Sequence, residues 1–441
     1  MTSADDRIIR FHDELAAWLD RELGSQPEKL LWGHHDVARA VFNYMWYSGL
    51  RMRDAYLEHC RKGDDGYLDR ITLRIPDTAP GHRALVEADL AGHPWRKALE
   101  EFHGRMLVYA DNPRHIRHLL PVLRMFRKRE EPVVLLTRTE GLPDEIAGPN
   151  LRPLYFSPII SRAVTSSGLC GVNGELASFA HTLLCYVSWL KPKAMICCDG
   201  CQTQYQLAAI YCRGRGIPAI CCQLGWPGFI HAGFRRLPYT HFLTWGEAFS
   251  RILQPCSPAT DFHAVGRFGP IDREGPHDAI TFFMQAPIFV SSDESYRRFL
   301  RLIEGTARRY PRRRIIVRPH PEYSDDRRMD AAIAACGNIA ADTNPEVEAT
   351  YRATAIAVSQ YSSCLVESAA FGCTPLMFNP TSGFDYPLLP DWLKSRSEEE
   401  FFSCLDHIIR RRPDAGPAAE AISHSGEECG ARFAAFIDSL T

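Results

Sequence analysis

The stretch that decides the fold is residues 194–200, Ala-Met-Ile-Cys-Cys-Asp-Gly, in which an apolar run ends at an acidic residue and a glycine. A short run with no polar residue on either face is typical of a strand buried on both sides in a parallel sheet. Residues 314–321, Arg-Ile-Ile-Val-Arg-Pro-His-Pro, show the same arrangement later in the chain. Because ligands of open α/β sheets bind beyond the carboxyl ends of strands, these stretches predict functional side chains at corresponding places in two α/β units.

Apolar runs alternate with helical stretches on both sides of these segments. The runs are 106–109, 133–137, 194–198, 217–222 and 241–244, followed by 280–284, 315–317, 356–359 and 376–378. Such alternation predicts parallel sheets covered by helices. Between Phe262 and Pro276, glycines and prolines interrupt the pattern, which indicates a linker. We therefore expect an α/β protein with two Rossmann-like domains facing across a cleft.

The expected domain boundaries follow from this linker. We predict an N-terminal domain over residues 1–265, with an extra, largely helical region at 1–100 and a Rossmann-like part at 104–265. A C-terminal domain is predicted over residues 275–400. Residues 401–441 have helical periodicity and could pack back on the N-terminal domain.

Composition indicates a soluble globular protein. The 441 residues are 45% hydrophobic and 24% charged, and 51 basic against 53 acidic residues leave a formal charge of −2. This balance gives no reason to expect nucleic acid as a partner. The start of the chain lacks the pattern of a secretory signal, and no apolar run approaches the ~18 residues of a membrane span, so we expect a cytoplasmic protein.

The 15 cysteines are most simply reduced core residues, because many of them stand inside apolar runs. Cys198 and Cys201 have the spacing of a zinc-binding pair, but the neighbouring pair Cys221 and Cys222 is adjacent rather than spaced by two. We therefore expect no metal site.

The segment 318–321 offers an anion-binding pair. Arg318 and His320 are two residues apart and would project from the same side of an extended backbone. Pro319 and Pro321 favour that extended geometry in the residues before them. A guanidinium and an imidazole at a strand end suit a phosphate, although both could instead be surface residues bonded to loop carbonyls.

A second candidate for the same ligand is Ser362-Ser363, which follows the apolar run 355–358 and precedes a helical stretch. Hydroxyls and free amide groups at such a helix start can bind an anion. Glu367 stands four residues after Ser363, one residue too far for a capping box, and could therefore accept hydrogen bonds from ribose hydroxyls. The alternative is an ordinary capping serine with a solvated glutamate.

Asp199 and Gly200 are the candidates in the first half. Gly200 lacks a side chain, so a substrate could approach the backbone, and Asp199 could act as a general base. Asp199 could equally cap the following helix. The next strand end, 223–228, places Gln223, Gly225 and Trp226 in a loop that could border a ligand or form a tight turn around a core tryptophan.

These motifs resemble those of bacterial sialyltransferases and polysialyltransferases. Cys198-Asp199-Gly200 is similar to their acidic-acidic-Gly motif, His320-Pro321 to their His-Pro motif, and Ser362-Ser363 to their paired serines, in the same order. Residues from about 278 to 380 also resemble the wider group of capsule and cell-wall transferases, including Kdo transferases and CDP-glycerol glycerophosphotransferases. The resemblance implies the GT-B fold, with an acceptor-side N-terminal domain and a nucleotide-sugar-binding C-terminal domain.

The resemblance also implies roles for individual residues. Asp199 would be the catalytic carboxylate, with Gly200 beside it in the donor site. His320, with Arg318 and Pro321, would contact the donor phosphate. Ser362 and Ser363 would bind the same phosphate, and Glu367 would hold the nucleotide ribose.

Two positions depart from the family patterns. Cys198 stands where the sialyltransferase motif has its first acidic residue. Leu224 stands where the cell-wall glycerophosphotransferases have a catalytic histidine, and because leucine cannot accept a proton we disfavour their chemistry.

The function expected from the resemblance is a metal-independent glycosyltransferase without a further cofactor. It would transfer an acidic sugar, of sialic acid or Kdo type, from a CMP-activated donor to a surface polysaccharide or glycolipid, with either stereochemical outcome. A lipid-linked acceptor would require peripheral association with the inner membrane. The alternatives are a GT-B transferase for a UDP-sugar or CDP-alditol, a nucleotide-sugar epimerase, and a catalytically silent GT-B scaffold protein.

Overall fold

The computed structural model describes residues 4–64, 66–226, 230–287, 291–321, 323–380, 386–411 and 417–440. The chain divides into two compact units. The N-terminal unit comprises Asp13–Leu224, His231–Gly269 and Glu427–Thr441. The C-terminal unit comprises Met1–His12, Gly225–Ile230 and Pro270–Gly426.

The strands, in chain order, are β1 (Leu31–Trp32), β2 (His35–Asp36), β3 (Met106–Tyr109), β4 (Val133–Thr137), β5 (Leu151–Tyr155), β6 (Met195–Cys198), β7 (Ala219–Cys222), β8 (His241–Thr244), β9 (Asp261–Ala264), β10 (Ala279–Phe283), β11 (Ile315–Arg318), β12 (Ile339–Ala341), β13 (Thr354–Ser359), β14 (Thr374–Phe378) and β15 (Lys394–Ser395).

The α-helices are α1 (Ala4–Gly24), α2 (Ala38–Gly49), α3 (Arg53–Arg61), α4 (His82–Gly92), α5 (Trp95–Glu100), α6 (Pro113–Lys128), α7 (Arg162–Thr165), α8 (Leu169–Leu190), α9 (Thr203–Arg213), α10 (Glu247–Leu253), α11 (Asp293–Arg309), α12 (Arg327–Ala334), α13 (Val347–Ala353), α14 (Cys364–Ala370), α15 (Glu398–Arg411), α16 (Pro417–Glu420) and α17 (Gly426–Leu440). Short 3-10 helices lie at Pro27–Leu30, Leu50–Met52, Leu68–Arg70, Asp144–Ile146, Ala232–Phe234, Gln254–Cys256 and Asp391–Leu393.

The N-terminal unit is built on a seven-stranded parallel sheet in the order β5-β4-β3-β6-β7-β8-β9. The chain runs from β3 outward to β5, and then returns to place β6 on the other side of β3. The order therefore reverses between β3 and β6. Such a switch point is where open parallel sheets bind ligands.

The C-terminal unit has a six-stranded parallel sheet in the order β12-β11-β10-β13-β14-β15. Here the order reverses between β10 and β13. The His-Pro segment follows β11 and the paired serines follow β13, so both lie at the carboxyl edge of this sheet. Because β10 lies between those strands, their ends are about 10 Å apart.

The last helix contributes to the core of the N-terminal unit. Phe433 and Ile437 of α17 are buried in one apolar cluster with residues of β3, β4, β6 and α6. Arg129, just after α6, forms an ion pair with Asp438, with 2.6 Å between Nη1 and Oδ1. Burial of one apolar face against the sheet explains the helical spacing of apolar residues in this segment.

The predicted alternation of strands and helices is confirmed, and each predicted apolar run overlaps a strand. Four outer strands were not predicted: β5, β9, β12 and β15. The predicted linker also started too early, because β9 extends over Asp261–Ala264. These strands lie at the sheet edges and carry polar or exposed side chains, so they lack the continuous apolar run of a central strand. Within the described ranges, no helix has both the length and the apolar character needed to cross a bilayer.

Candidate functional site

Asp199 occupies an unusual backbone position directly after β6. Its φ angle is +81°, and that of Gly200 is +92°. The Asp199 N–H donates to the carbonyl of Cys222 on the neighbouring strand at 3.2 Å. Positive φ is uncommon for residues other than glycine, although aspartate tolerates it better than most. This turn presents the Asp199 side chain at the sheet edge and marks it as a candidate functional residue.

Gly200 is required by packing as well as by backbone conformation. A Cβ atom here would lie 2.9 Å from the ring of Phe242. The Gly200 carbonyl accepts hydrogen bonds from Tyr239 Oη at 3.1 Å and from Gln206 Nε2 at 3.2 Å. The space that a side chain at position 200 would occupy is therefore already filled by protein atoms.

The Asp199 carboxylate is held by its neighbours but remains accessible, with 21% of the side chain exposed. Gln202 Nε2 donates to Oδ2 at 2.9 Å, and Cys201 Sγ lies 3.5 Å from Oδ1. His115 Nε2 is 3.8 Å from Oδ2. The carboxylate is thus oriented from three sides, as a general base or nucleophile would need to be.

His115 was not predicted from the sequence, although the structure places it beside Asp199. Asn112 accepts a hydrogen bond from the His115 N–H and caps α6, which begins at Pro113. His115 Nδ1 lies 2.6 Å from Tyr205 Oη. Tyr205 Oη already accepts a hydrogen bond from the Asp111 N–H, so we assign the Tyr205 hydroxyl as the donor to His115 Nδ1. Neutral His115 then carries its own proton on Nε2, which faces Asp199.

Burial favours the neutral forms in this group. Burial lowers the pKa of His115 below its usual value, and the nearby charge of Asp199 offsets this only in part. Burial also raises the pKa of the Tyr205 phenol well above its usual value. Tyr205 therefore remains a hydrogen-bond donor, and neutral His115 remains an acceptor at Nδ1.

Asp111 completes this polar cluster, which comprises Asp111, His115, Arg138, Asp199 and Tyr205. The Arg138 guanidinium binds both Asp111 oxygens, with 2.8 Å between Nε and Oδ1. Gln204 Nε2 donates to the same carboxylate at 2.9 Å. Asp111 follows β3 and Asp199 follows β6, so the cluster lies at the switch point of this sheet.

Asp111 carries a sequence signal that could have revealed the cluster. It follows an apolar run, 106–110, just as Asp199 follows 194–198. Which strands are neighbours is not visible in the order of the runs, however, and β6 comes third after β3. The contact between these two strand ends therefore emerges only from the sheet order.

In the C-terminal unit, Arg318 is tied to its own scaffold. Its Nη1 lies 2.5 Å from Asp342 Oδ2, 2.8 Å from Thr350 Oγ1 and 3.1 Å from the Asn344 carbonyl. Burial tends to raise the pKa of Asp342, but hydrogen bonds from Thr350 and Arg318 outweigh this and lower it. Arg318 thus anchors the segment after β12. The sequence had predicted only that Arg318 binds a phosphate together with His320.

His320 begins a tight turn after β11. Its carbonyl accepts a hydrogen bond from the Tyr323 N–H at 2.9 Å, and the two residues form an isolated antiparallel bridge. His320 is half-buried, and Pro321 is exposed. The imidazole is therefore carried on a short ordered turn at the sheet edge.

The paired serines are bonded differently from each other. Ser362 Oγ accepts from the Cys364 N–H at 3.2 Å, and the Ser362 carbonyl accepts from Tyr386 Oη at 3.0 Å. Ser363 Oγ donates to Glu367 Oε1 at 2.9 Å. Glu367 is buried, so its carboxylate orients Ser363 rather than standing in solvent.

The loop after β7 has mixed roles. Gln223 Oε1 accepts from the Trp245 N–H at 2.9 Å, so its side chain holds a neighbouring segment. Trp226 is buried. A Cβ atom on Gly225 would lie 3.8 Å from Ser363 Oγ, which leaves ordinary contact distance there. Pro227 and Gly228, the rest of this predicted loop, lie outside the described residues.

Cys198 cannot replace the acidic residue of the motif, because burial raises the pKa of its thiol well above the usual value and keeps it neutral. Cys201, the other cysteine of the pair with zinc-binding spacing, contacts Tyr47, whose Oη lies 2.9 Å from the Cys201 Sγ. In the part of the chain that the structure describes, no three His, Cys, Asp or Glu side chains are grouped as metal ligands.

Two parallel α/β sheets, with the candidate residues at their carboxyl edges, define a protein of the GT-B fold class. Among solved structures, one from Listeria monocytogenes that is provisionally described as a UDP-N-acetylglucosamine 2-epimerase matches with a TM-score of 0.52 and 10% identity, over 76% of this chain and 96% of that chain. The S. aureus MnaA–UDP co-structure matches with a TM-score of 0.52 and 10% identity, over 77% and 98%.

These matches confirm the predicted fold class. At 10% identity they establish the fold alone. No family model matches the sequence, and no curated protein matches it.

Proposed function

We propose that this protein is a glycosyltransferase that uses a nucleotide-activated sugar. The observation that carries the proposal is the placement of its three motifs. Asp199, His320 and Ser362 each follow a strand of a parallel sheet at the carboxyl edge. The fold is shared with one protein provisionally described as a UDP-N-acetylglucosamine 2-epimerase and with another solved with UDP. Both the edge position and the residue types suit binding and transfer of a phosphate-linked group.

In this proposal, Asp199 takes the proton of the acceptor hydroxyl as the sugar leaves its phosphate. Gln202 and His115 orient the carboxylate for that step. His320 and Ser362 stabilise the departing phosphate through hydrogen bonds. Ser363, whose hydroxyl donates to Glu367 and is held in position by it, would contribute its backbone N–H. For a retaining reaction, Asp199 would instead attack the anomeric carbon and form a covalent adduct, which intact mass spectrometry with donor would detect.

For the donor, we propose two candidates. The order of the Asp-Gly, His-Pro and Ser-Ser motifs supports a CMP-activated acidic sugar of sialic acid or Kdo type, with a surface polysaccharide or glycolipid as acceptor. The structural matches favour a UDP-sugar, because one of the matched proteins is named for a UDP-sugar and the other was solved with UDP. With a single donor phosphate, protein hydrogen bonds could replace a metal, so we expect a CMP-sugar reaction to persist in EDTA.

Nucleotide binding tests the proposal. Thermal unfolding would be measured with CMP, CDP, UDP and GDP, because a ligand that binds only the folded state stabilises it by about 2.7 kcal/mol at 100 times its Kd. We expect one base to raise the Tm by several degrees. CMP alone would support the acidic-sugar donor, and UDP alone would establish the second candidate. Lack of stabilisation by all four would contradict the proposal.

Two variants of the C-terminal unit sharpen this test. His320→Ala should remove most of the nucleotide-induced increase in Tm. His407→Ala is the matched control, because His407 is exposed and lies near the end of α15 rather than in a segment that directly follows a strand. Hydrolysis of the stabilising nucleotide's sugar conjugate, abolished in His320→Ala but not in the control, would also exclude a catalytically silent scaffold.

A further inference from the structure

A cavity of about 430 Å³ opens at the carboxyl edge of the N-terminal sheet, beside β4 and β5. This volume lies within the range of about 300–1,000 Å³ that small-molecule sites have. Its lining comes from the segments after these two strands and from one face of α8: Arg138, Phe156, Pro158, Ile160, Gly174, Glu175, Ser178 and Phe179.

An interruption in α8 shapes the helical wall. Asn173 has extended backbone angles, with φ −167° and ψ 119°, so the helix effectively restarts after it. Its Oδ1 accepts from the Glu175 N–H at 2.8 Å and from the Leu176 N–H at 3.2 Å, as an N-cap does. The restart places Glu175, Ser178 and Phe179 on one face, because residues three and four apart are neighbours on a helix.

Part of the lining is apolar. The rings of Phe156 and Phe179 meet edge to face, with 5.4 Å between centroids. Ile160, on the loop after β5, is 66% exposed, the largest exposed fraction among the large apolar side chains that the structure describes. These side chains offer apolar surface to a ligand ring.

The same cavity contains polar groups without a full set of partners. Ser178 is 6% exposed, and its Oγ makes no hydrogen bond within the described residues. A buried hydroxyl without a partner has lost its hydrogen bonds to water, so rotation of the Ser178 side chain toward a ligand hydroxyl in the cavity would restore one of them. Arg138 directs two of its N–H groups to Asp111, which leaves others for a ligand.

Hydrogen bonds connect the cavity to Asp199. Arg138 binds Asp111, whose N–H donates to Tyr205 Oη at 2.7 Å, and Tyr205 contacts His115 next to Asp199. The strand order β4-β3-β6 separates the ends of β4 and β6 by two strand spacings, about 10 Å. A sugar ring bound in the cavity beside β4 would therefore lie about 10 Å from Asp199, so the ring that carries the reacting hydroxyl would fit between them.

We propose that this cavity binds a neutral sugar ring of the acceptor, next to the ring that carries the reacting hydroxyl. The inference rests on the proposed glycosyltransferase function. The aromatic wall would receive the apolar face of the ring, and Ser178 and Arg138 would bond its hydroxyls. Arg138, Asp111 and Glu175 together carry one net negative charge, which disfavours an anionic ring.

Saturation-transfer NMR with three neutral probes tests this site: methyl β-lactoside, methyl β-maltoside and methyl β-cellobioside at millimolar concentration. We expect saturation of the ring protons of at least one probe, and at least a fivefold weaker signal in Ser178→Ala. That variant should fold at least as well as wild type, because it removes a hydroxyl that has no partner. Ile160→Glu, a change at an exposed position, should also weaken the signal.

Trp95→Ala is the matched control, because Trp95 is an exposed aromatic residue that does not line the cavity. Absence of signal for all three probes, or an equal loss in the control, would overturn the proposal. Stronger binding of an anionic probe, methyl α-sialoside, would overturn it as well. Nucleotide stabilisation is measured separately, so loss of the sugar site with nucleotide binding retained would leave the proposed function standing.

Discussion

At the scale of single residues, Asp199 combines a left-handed backbone with an accessible carboxylate. Its φ of +81° restricts which residues can replace it without strain. Asparagine tolerates this conformation and keeps an oxygen for Gln202, whereas alanine would add a conformational cost to the loss of charge. Asparagine is therefore the informative substitution.

We expect Asp199→Asn to lower donor turnover by about 10²–10⁴-fold, because that is the typical contribution of a positioned general base. Nucleotide-induced stabilisation should be unchanged, since the substitution lies in the other unit. Turnover would be followed by release of the nucleotide with and without acceptor. Wild-type turnover in Asp199→Asn would exclude this carboxylate from the chemistry.

Arg318 allows its structural and ligand-binding roles to be separated. Arg318→Gln leaves the buried carboxylate of Asp342 without its cation, and breaking such a pair costs about 3–5 kcal/mol when it is fully buried. We expect a lower Tm with the nucleotide-induced increase retained, in contrast to His320→Ala. Loss of that increase would show that Arg318 contacts the phosphate, as the sequence had suggested.

At the scale of elements, strands that are buried on both faces were predictable and edge strands were not. Central strands such as β3 and β6 must be apolar throughout, and this requirement is visible in the sequence. Strand β5 faces solvent and reads Leu-Arg-Pro-Leu-Tyr, which fits neither strand periodicity nor a continuous apolar run. Its absence from the prediction also concealed the cavity beside it.

The candidate site was predictable only in part, for a related reason. A residue at the end of an apolar run can be recognised from the sequence, as Asp199 and His320 were. Its contacts cannot, because they depend on which strands are adjacent: His115 meets Tyr205, 90 residues away in sequence. The contacts Arg318–Asp342 and Ser363–Glu367 likewise required coordinates.

Helix α17 should contribute strongly to the N-terminal unit, although it is the last element of the chain. Phe433 is 1% exposed within the apolar core, so Phe433→Ala should cost about 3–5 kcal/mol. Arg432→Ala, one residue earlier on the exposed face, should cost less than about 0.5 kcal/mol. Urea unfolding of both variants checks this contrast. Similar losses of unfolding free energy in the two variants would show that burial of this face of α17 does not stabilise the N-terminal unit.

At the scale of the whole molecule, the N-terminal unit contains three wholly or partly buried histidines whose protonation bears on stability. Burial lowers the pKa of His35 and His181 to about 4 and that of His118 to about 3. All three residues belong to the N-terminal unit. The acid sensitivity that these three histidines cause therefore originates in that unit.

We expect stability to fall as the pH decreases from about 6.5 to about 4. In this window the three histidines stay neutral in the folded protein but become protonated when it unfolds, so unfolding takes up protons. Each proton taken up contributes about 1.4 kcal/mol per pH unit. Thermal unfolding at pH 7, 6 and 5 measures the effect, and a Tm that is constant across this range would contradict it.

His35→Gln is a useful companion variant for the pH measurement. It removes one of the three histidines, so unfolding should take up about one proton fewer, and the free energy of unfolding should change less steeply with pH. An unchanged slope would assign the proton uptake to other groups.

The cysteines of β6 and β7 give the N-terminal sheet an internal reporter of its own opening. Cys197 and Cys198 pair in register with Cys221 and Cys222, and all four thiols are free and buried. Burial raises the pKa of Cys198, Cys221 and Cys222 well above the usual value, which suppresses the thiolate that alkylating reagents attack. The rate at which these four positions become modified, followed by peptide mass spectrometry, should therefore measure how often this sheet separates in the native protein.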